Sequence, residues 1–431
     1  MLTLTGIVQT FIDMNVLSLF DGMSCGQQAL ERAGIKVNNY YASEIDKYAI
    51  QVTMANYPNT IQLGSVVDVD VSKLSKIDLL CGGSPCQSFS FAGKRKGMST
   101  KDEQEILTLE HYLQLKNEGY EFEGQSYLFW EYMRLLNEVK PKYFLLENVM
   151  MGEKWEKILS KAIGVNGIHI NSALVSAQNR KRIYWTNIGL KPGGLFSDLE
   201  SIIEQPKDKG ILLKDILQDN PNAKYYLNKN QYNKTLDKTG INPKVNEAKI
   251  LDVYNNKIKE DGKSITLTDP CYNNLRLIEP IAIHEKYYLS NKAINSIIEN
   301  KNNLQKSNIN PIKSNPLQCP GNSCGIYKGA SFIVHNTQKR DSNRPSIKIN
   351  KNAGGSGPLS RNDGKTYCLD SGQSNAVEYS SKIRRLTPIE CERLQTVKDN
   401  YTNFVSDSQR YKMLGNGWTI DVITHILNYI I

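Results

Sequence analysis

Short apolar runs bounded by turn residues recur through the first half of the chain and alternate with stretches of helical spacing. NVLSLF (15–20) predicts a buried strand, and CGQQALERAGI (25–35) a helix closed by Gly34. NNYYASE (38–44) predicts a second strand, and DKYAIQVTMANYP (46–58) a helix stopped by Pro58. KIDLLCGG (76–83) and KYFLLEN (142–148) are further apolar strands. Between them, SYLFWEYMRLLNEVKP (126–141) carries apolar residues at helical spacing and ends at Pro141. Strands interleaved with helices imply an α/β fold built on a parallel, doubly wound sheet.

From about residue 186 the pattern changes. Residues 186–383 are rich in Asn, Lys, Tyr, Gly and Ser, with short apolar runs and many turn signals, which predicts a second, irregular, mostly-β domain. GKSITLTD (262–269) and GKTYCLDS (364–371) share a pattern that reads either as two related β elements or as chance similarity. Regular structure returns with LTPIECERLQ (386–395), a helix with Thr387 as N-cap and Pro388 in its first turn. GNGWTIDVITHILNYII (415–431) predicts an apolar terminal helix that packs back on the first domain.

Composition narrows the class. The 431 residues suffice for two or three domains. No apolar run approaches membrane-spanning length. The start lacks a basic n-region and cleavage site, so it reads as a short extension with Met14 as the functional start. Eight cysteines are scattered without a CxxC, and the Cys319/Cys324 pair has no partner pair to complete a zinc site. A reduced cytoplasmic compartment and no metal are expected. The net charge of +9 is local: residues 301–365 hold eleven Lys/Arg against two acids, Asp341 and Asp363, an excess equal to that of the whole chain. A polyanion bound there explains the missing acids better than a merely solvated loop.

Three stretches carry chemistry. LFDGMSCG (19–26) is a strand, a glycine-bearing turn and a helix start, where backbone N–H groups and a helix N-terminus can meet a nucleotide-like ligand. Gly22 lets the backbone approach closely, Gly26 lets the helix pack near the sheet, and Glu44 at the next strand tip suits ribose hydroxyls. CGGSPCQSFSFAG (81–93) lifts Cys86 out on a bend after a strand, where α/β enzymes keep their chemistry; a loop cysteine without a role is the plain alternative. Glu147 ends a buried strand in the same sheet with no visible basic partner, and burial there favours its protonated form. In QNRKRIYW (178–185), Gln178, Arg180 and Arg182 fall at period two and so project from one face of a strand, where the arginines need acidic or phosphate partners. A surface salt-bridge ladder is the competing explanation.

The order F-x-G-x-x-x-G, E, G-S-P-C-Q, E-N-V, Q-x-R-x-R, closed by a Leu-Thr-Pro-x-Glu helix and LGNGWTIDVI (414–423), resembles the DNA cytosine-5 methyltransferase family, bacterial and phage type. The resemblance covers residues 14–190 and 383–431. It implies a Rossmann-like S-adenosylmethionine-dependent methyltransferase domain (14–190 plus 384–431) after an extension (1–13), with a target recognition domain at 191–383. It matches Cys86 to the thiolate that adds to cytosine carbon 6, Glu147 to the residue that protonates ring N3, and Arg182 to the arginine at O2. Arg180 matches its neighbour in the scaffold. Ser84 and Pro85 would line the base pocket. Gln87 and Gln178 would lie toward the DNA, with Lys94, Arg95 and Lys96 available for phosphate. Phe20, Gly22, Gly26, Glu44, Leu128 and Asn416 match the cofactor site. Ser65 stands where the family has Asp, which puts the adenine contact in doubt, and Gly417 stands where Ser or Ala is usual, with little consequence expected. Lys339 and Arg340 would contact duplex DNA. A monomer is expected, with a cognate restriction endonuclease as a further partner. An RNA methyltransferase of the same family, a nicotinamide dehydrogenase and a silent DNA-binding protein are the rival readings. The large recognition region speaks against the first, and the set Cys86, Glu147 and Arg182 against the other two.

Overall fold

The computed structural model describes residues 13–85, 98–192, 199–240, 248–267, 275–279, 315–316, 332–336, 359–361, 375–379 and 382–430. Its central sheet uses β1 (Asp13–Leu19), β2 (Lys36–Ser43), β3 (Ile61–Gln62), β4 (Leu79–Gly83), β5 (Tyr143–Val149), β6 (Ile168–Asn171) and, after the short β7 (Gln178–Asn179), β8 (Lys181–Thr186). The seven strands run in the order β3-β2-β1-β4-β5-β8-β6. The chain moves outward from β1 to β3 and then returns to place β4 on the other side of β1. The carboxyl ends of β1 and β4 therefore flank a topological switch point, where open α/β sheets bind ligands.

The sheet is not wholly parallel. β8 runs antiparallel to both β5 and β6. The connection from β6 to β8 contains one short helical turn, Ser172–Leu174, and a parallel return needs a crossover of about a dozen residues or more, usually helical. The antiparallel placement brings Arg182 alongside Val149 and Tyr184 alongside Glu147.

The helices follow their apolar spacing. α1 (Cys25–Arg32) and α2 (Lys47–Asn56) appear where predicted, α2 capped by Asp46, whose carboxylate accepts from Tyr48 N and Ala49 N. α3 (Leu109–Asn117) and α5 (Glu153–Ile163) are additional to the sequence reading. α4 (Phe129–Val139) buries Phe129, Trp130, Tyr132, Met133 and Leu135 against the sheet. Leu17, Leu19, Leu80, Leu146 and Trp185 complete this core at essentially zero exposure. Each such side chain contributes about 1.5–3 kcal/mol of transfer free energy.

The helix Pro388–Leu394 has the expected cap: Thr387 Oγ1 accepts from Glu390 N, and Glu390 returns a carboxylate oxygen to Thr387 N. The terminal helix is shorter than the apolar run, Ile420–Leu427, and packs on α1 as expected. Arg32 pairs with Asp421 at 2.6 Å, and Thr424 Oγ1 donates to the Ala29 carbonyl at 3.4 Å. No described helix is long and apolar enough to cross a membrane.

The chain divides into two compact units, Met1–Tyr225, Ile250–Arg276 and Arg385–Ile431 in one, Tyr226–Lys249 and Leu277–Arg384 in the other. This differs from a boundary at 191: residues 191–225 and 250–276 group with the first unit. Lys209 pairs with Asp421, Gln218 bonds both Thr387 and Glu390, and the strand Ser264–Ile265 pairs parallel with β7. In the second unit, the described elements are the helix Lys229–Thr239, the antiparallel strands Phe332–Asn336, Leu359–Arg361 and Asn375–Tyr379 with the short Asn315–Pro316, and the pairing of Leu277–Glu279 with Lys382–Arg384. Most of the basic region 301–365 and the segment 364–371 lie outside the described residues.

Candidate active site

After β1 the chain turns through three left-handed residues, Phe20 (φ +55°), Gly22 (φ +59°) and Ser24 (φ +60°). A Cβ on Gly22 would meet nothing within 4 Å, so the glycine is there for its backbone angle rather than for lack of room. Its N–H donates to Glu44 Oε2 at 2.7 Å, while Ile45 N and Asp46 N donate to Oε1 at 2.7 and 2.8 Å. Three backbone donors thus fix the half-buried Glu44 at the tip of β2, tied to the β1 turn. Gly26 answers its expectation directly, since a Cβ there would stand 2.6 Å from Tyr40 Oη.

Asp21, which the sequence reading passed over, is the buried centre of this turn. It accepts from Ser24 Oγ at 2.5 Å and Tyr40 Oη at 2.7 Å. Burial pushes its carboxyl up to about 6, against the pull of donors from Ser18, Ser24 and Tyr40, with the nearby Glu44 charge adding to the rise. The signal was an acid directly after an apolar strand, opposite a tyrosine on the next one.

Ser65 starts a single helical turn, Val66–Asp68, just after Gly64 (φ +76°), whose carbonyl accepts from Ser43 Oγ at 2.9 Å. That bond ties the Ser65 turn to the end of β2 beside Glu44. Leu128 is partly buried against the core at the start of α4. Asn416 is exposed at the end of the helix Asp407–Asn416.

On the other side of the switch point, Gly83 of β4 stands in register with Glu147 of β5. Glu147 is 8% exposed, and Arg182 Nε meets its Oε1 at 2.9 Å. Arg182 is the basic partner that the sequence left unidentified. Next along β5, the Asn148 amide donates to Ser84 Oγ at 3.0 Å and to the Ser84 carbonyl at 3.3 Å, pinning the exit of β4. Pro85 follows, half-buried. Cys86, Gln87, Lys94, Arg95, Lys96, Lys339 and Arg340 lie outside the described residues.

Gln178, Arg180 and Arg182 do not share one strand face. Arg180 falls between β7 and β8, its backbone N–H bound to Asn171 Oδ1 at 3.0 Å, so the period-two alternation breaks there. Its guanidinium donates to the carbonyls of Leu267 (3.3 Å), Gly415 (3.2 Å) and Gly417 (2.9 Å). Gln178 is fully buried, its amide without a protein partner among the described residues, rather than presented at a surface for DNA. Gly417 is tighter than expected. A Cβ there would lie 2.9 Å from Met23 Cε and 3.0 Å from the Met413 carbonyl, so even alanine forces a shift. Trp418, also missed in the sequence, reaches Gly83: a Cβ on that glycine would lie 2.9 Å from Trp418 Nε1 and 3.1 Å from Glu147 Oε2.

The family model of the C-5 cytosine-specific DNA methylases matches residues 14–431. The chain is 26% identical to the orphan methyltransferase M.SPRI of Bacillus phage SPR, over 97% of each chain. It is also 26% identical to the type II methyltransferase M.HgiCI of Herpetosiphon aurantiacus, over 97% of this chain and 96% of that one. Among solved structures, a DNMT2 variant of Spodoptera frugiperda shares the fold at a TM-score of 0.50 and 16% identity, covering 96% of this chain and 99% of that one. With a family match that begins at Met14 and runs through the strand-tip carboxylates, the Glu147–Arg182 pair and the terminal helix, the chain belongs to the C-5 cytosine-specific DNA methylases and is an S-adenosylmethionine-dependent DNA cytosine-5 methyltransferase.

Proposed function

We propose that the enzyme methylates a cytosine flipped out of duplex DNA within one short sequence, through a covalent adduct between Cys86 and ring carbon 6. The observation that carries this reading is the Glu147–Arg182 pair. It stands in register with Gly83, three residues before Cys86, at the carboxyl end of the sheet.

The cofactor side fits S-adenosylmethionine. Positions where a Cβ on Gly22 or Gly64 would lie meet no atom within 4 Å, so the backbone borders open space beside Glu44 and Ser65. Glu44 is held rigid by three donors yet stays half-exposed, and would take the ribose hydroxyls, with Phe20, Leu128 and Asn416 as further walls. When bound, the cofactor supplies an electrophilic methyl group.

The chain's own residues prepare the acceptor. A cytosine ring is a weak carbon nucleophile. Adding the Cys86 thiolate to carbon 6 makes carbon 5 enamine-like. Glu147 meets ring N3 and delivers a proton there, which stabilises the adduct, while Arg182 orients Glu147 and reaches O2. The Asn148–Ser84 bonds hold the start of the Cys86 loop beside that carboxyl. Once carbon 5 carries the methyl group, a base, through water, takes the carbon 5 proton, the sulfur leaves carbon 6 with its electron pair as the ring double bond re-forms, and N3 returns its proton to Glu147. The target carbon is unreachable inside a duplex, so the base must leave the stack. Residues of 191–383 read the sequence, with Lys339 and Arg340 on phosphate.

Bisulfite sequencing of a methylation-free bacterial host tests this. Cells expressing the wild type should protect cytosines at one short motif, and cells expressing Cys86→Ala should protect none. Protection that survives Cys86→Ala refutes the adduct. Soluble wild type that protects nothing turns the reading toward RNA, and tRNA is then the substrate to assay.

A further inference from the structure

The run GKSITL (262–267), singled out in the sequence only as half of a repeat, lies against the loop that precedes Arg182. Arg182 is the last residue of β8 to pair with β5, opposite Val149. The end of a ladder opens first unless something braces it. On the N-terminal side of Arg182 that brace can only be the loop 172–180, which joins β6 to β8 and contains the short β7.

Residues 261–267, which group with the first compact unit, hold that loop step by step. Asn179 Nδ2 donates to Asp261 Oδ2 at 3.0 Å, and Ser264 N donates to the Ala177 carbonyl at 2.8 Å. Thr266 Oγ1 donates to the Asn179 carbonyl at 2.7 Å. At the centre is Lys263, whose Nζ donates to the carbonyls of Ala173 (2.8 Å), Ser176 (3.3 Å) and Ile211 (2.9 Å). A lysine has three N–H donors and no acceptor, so three carbonyls take its full capacity. An ordinary surface lysine keeps its head in water. Lys263 is half-buried, with its head turned onto backbone. It gathers two carbonyls of the loop and ties them to a third just ahead of the helix Leu213–Ile216.

We propose that Lys263 is a positioning residue for Arg182. By fixing the Ala173 and Ser176 carbonyls it sets the loop from which Arg182 enters β8, and with it the approach of the guanidinium to Glu147 Oε1, 2.9 Å away. Thr266 works alongside it through the Asn179 carbonyl. Supporting groups of this kind hold a reacting constellation in its productive geometry. A misplacement of about 1 Å in such a constellation costs about a hundred-fold in rate. Residues 261–267 thus serve the catalytic pair, although the sequence assigned them to target recognition.

This inference rests on reading Arg182 as the arginine at the target base, so the test separates the two. Wild type, Lys263→Met, Lys263→Ala, Thr266→Val and Arg182→Ala are compared as full chains, by methyl transfer to genomic DNA from a methylation-free host and by calorimetry with S-adenosylmethionine. Lys263→Met should leave cofactor affinity and DNA KM within about two-fold and lower kcat by about ten- to a hundred-fold. Propylammonium supplies the atoms that Lys263→Ala removes and should restore its kcat by about ten-fold. Propyltrimethylammonium at the same concentration carries the charge without an N–H and should restore nothing. Wild-type kcat in Lys263→Met overturns the proposal. So does a loss confined to DNA KM, which makes Lys263 a phosphate contact, and so does restoration by both cations alike or by neither. Should the Lys263 variants fail to fold, Thr266→Val decides: it keeps the side-chain shape, removes one bond to the loop and should lower kcat by about three- to ten-fold. Thr266→Val with wild-type kcat then overturns the proposal. An Arg182→Ala enzyme with wild-type kcat overturns the reading of Arg182 itself.

Discussion

Asp21→Asn should make the protein more resistant to neutral pH relative to wild type, and the size of the effect follows from the turn's geometry. Asp21 is 9% exposed and accepts from Ser24 and Tyr40, with Glu44 as the nearby like charge. Its carboxyl titrates at about 6 in the fold against 3.8 for the free side chain. The folded pKa is raised, so the stabilisation is fully present below about pH 4 and is lost as pH climbs through about 6. A rise of about two units corresponds to about 3 kcal/mol. The uncharged asparagine lacks this dependence, and every other titrating group is shared by both proteins. Urea unfolding at half-unit steps from pH 4 to 7.5 should show the wild-type stability minus that of Asp21→Asn falling by about 2.5 kcal/mol. Asparagine also loses one acceptor for Ser24 Oγ, which adds a constant offset and leaves the slope alone. A difference that is flat with pH, or that rises with it, would refute the account of a carboxylate strained by burial.

Three further outcomes follow. Glu131→Gln should destabilise the first unit by about 3–5 kcal/mol in thermal or urea unfolding, because Glu131 is fully buried and binds Lys116, Arg134 and Tyr112 together; a loss under about 1 kcal/mol argues against that coupling. Glu44→Gln should weaken S-adenosylmethionine binding by about ten-fold or more in calorimetry, since its amide cannot accept on both sides from Gly22, Ile45 and Asp46; unchanged affinity removes Glu44 from the cofactor site. Charge reversal at Lys339 and Arg340 should weaken DNA binding and flatten its dependence on salt, and unchanged salt slopes separate that region from phosphate contact.

How much of this was readable in advance depended on distance along the chain. β1, β2, β4 and β5 and their helices were legible because buried parallel strands are apolar runs and α4 repeats its apolar residues every three or four positions. Gly22 and Glu44 were legible for the same local reason: each follows the end of an apolar strand, where the structure joins them by a hydrogen bond from Gly22 N–H to Glu44 Oε2. α5 left a readable stripe, Trp155, Leu159 and Ile163 at four-residue spacing, but the two polar residues of the four-residue β6 did not read as a strand. Asp21 was hidden because its meaning lies in Tyr40 of the neighbouring strand.

The arginines mark the limit most clearly. Arg180 and Arg182 are identical in type and two positions apart, and period two assigned them one face and one kind of partner. What separates them is topology. Because β8 turns back antiparallel to β5, Arg182 is carried alongside the carboxylate end of β5 and meets Glu147. Arg180, one residue before that strand, is left at a break where it donates to the Leu267 carbonyl and to carbonyls of a segment 235 positions away. No local pattern encodes a partner at that separation; only the return of the terminal helix to α1 puts Gly415 and Gly417 there. The same return delivers Trp418 to Gly83, where a Cβ would lie 2.9 Å from its Nε1. The C-terminal segment therefore does more than cover the core, since by closing on the sheet it supplies the carbonyls of Gly415 and Gly417 that Arg180 binds.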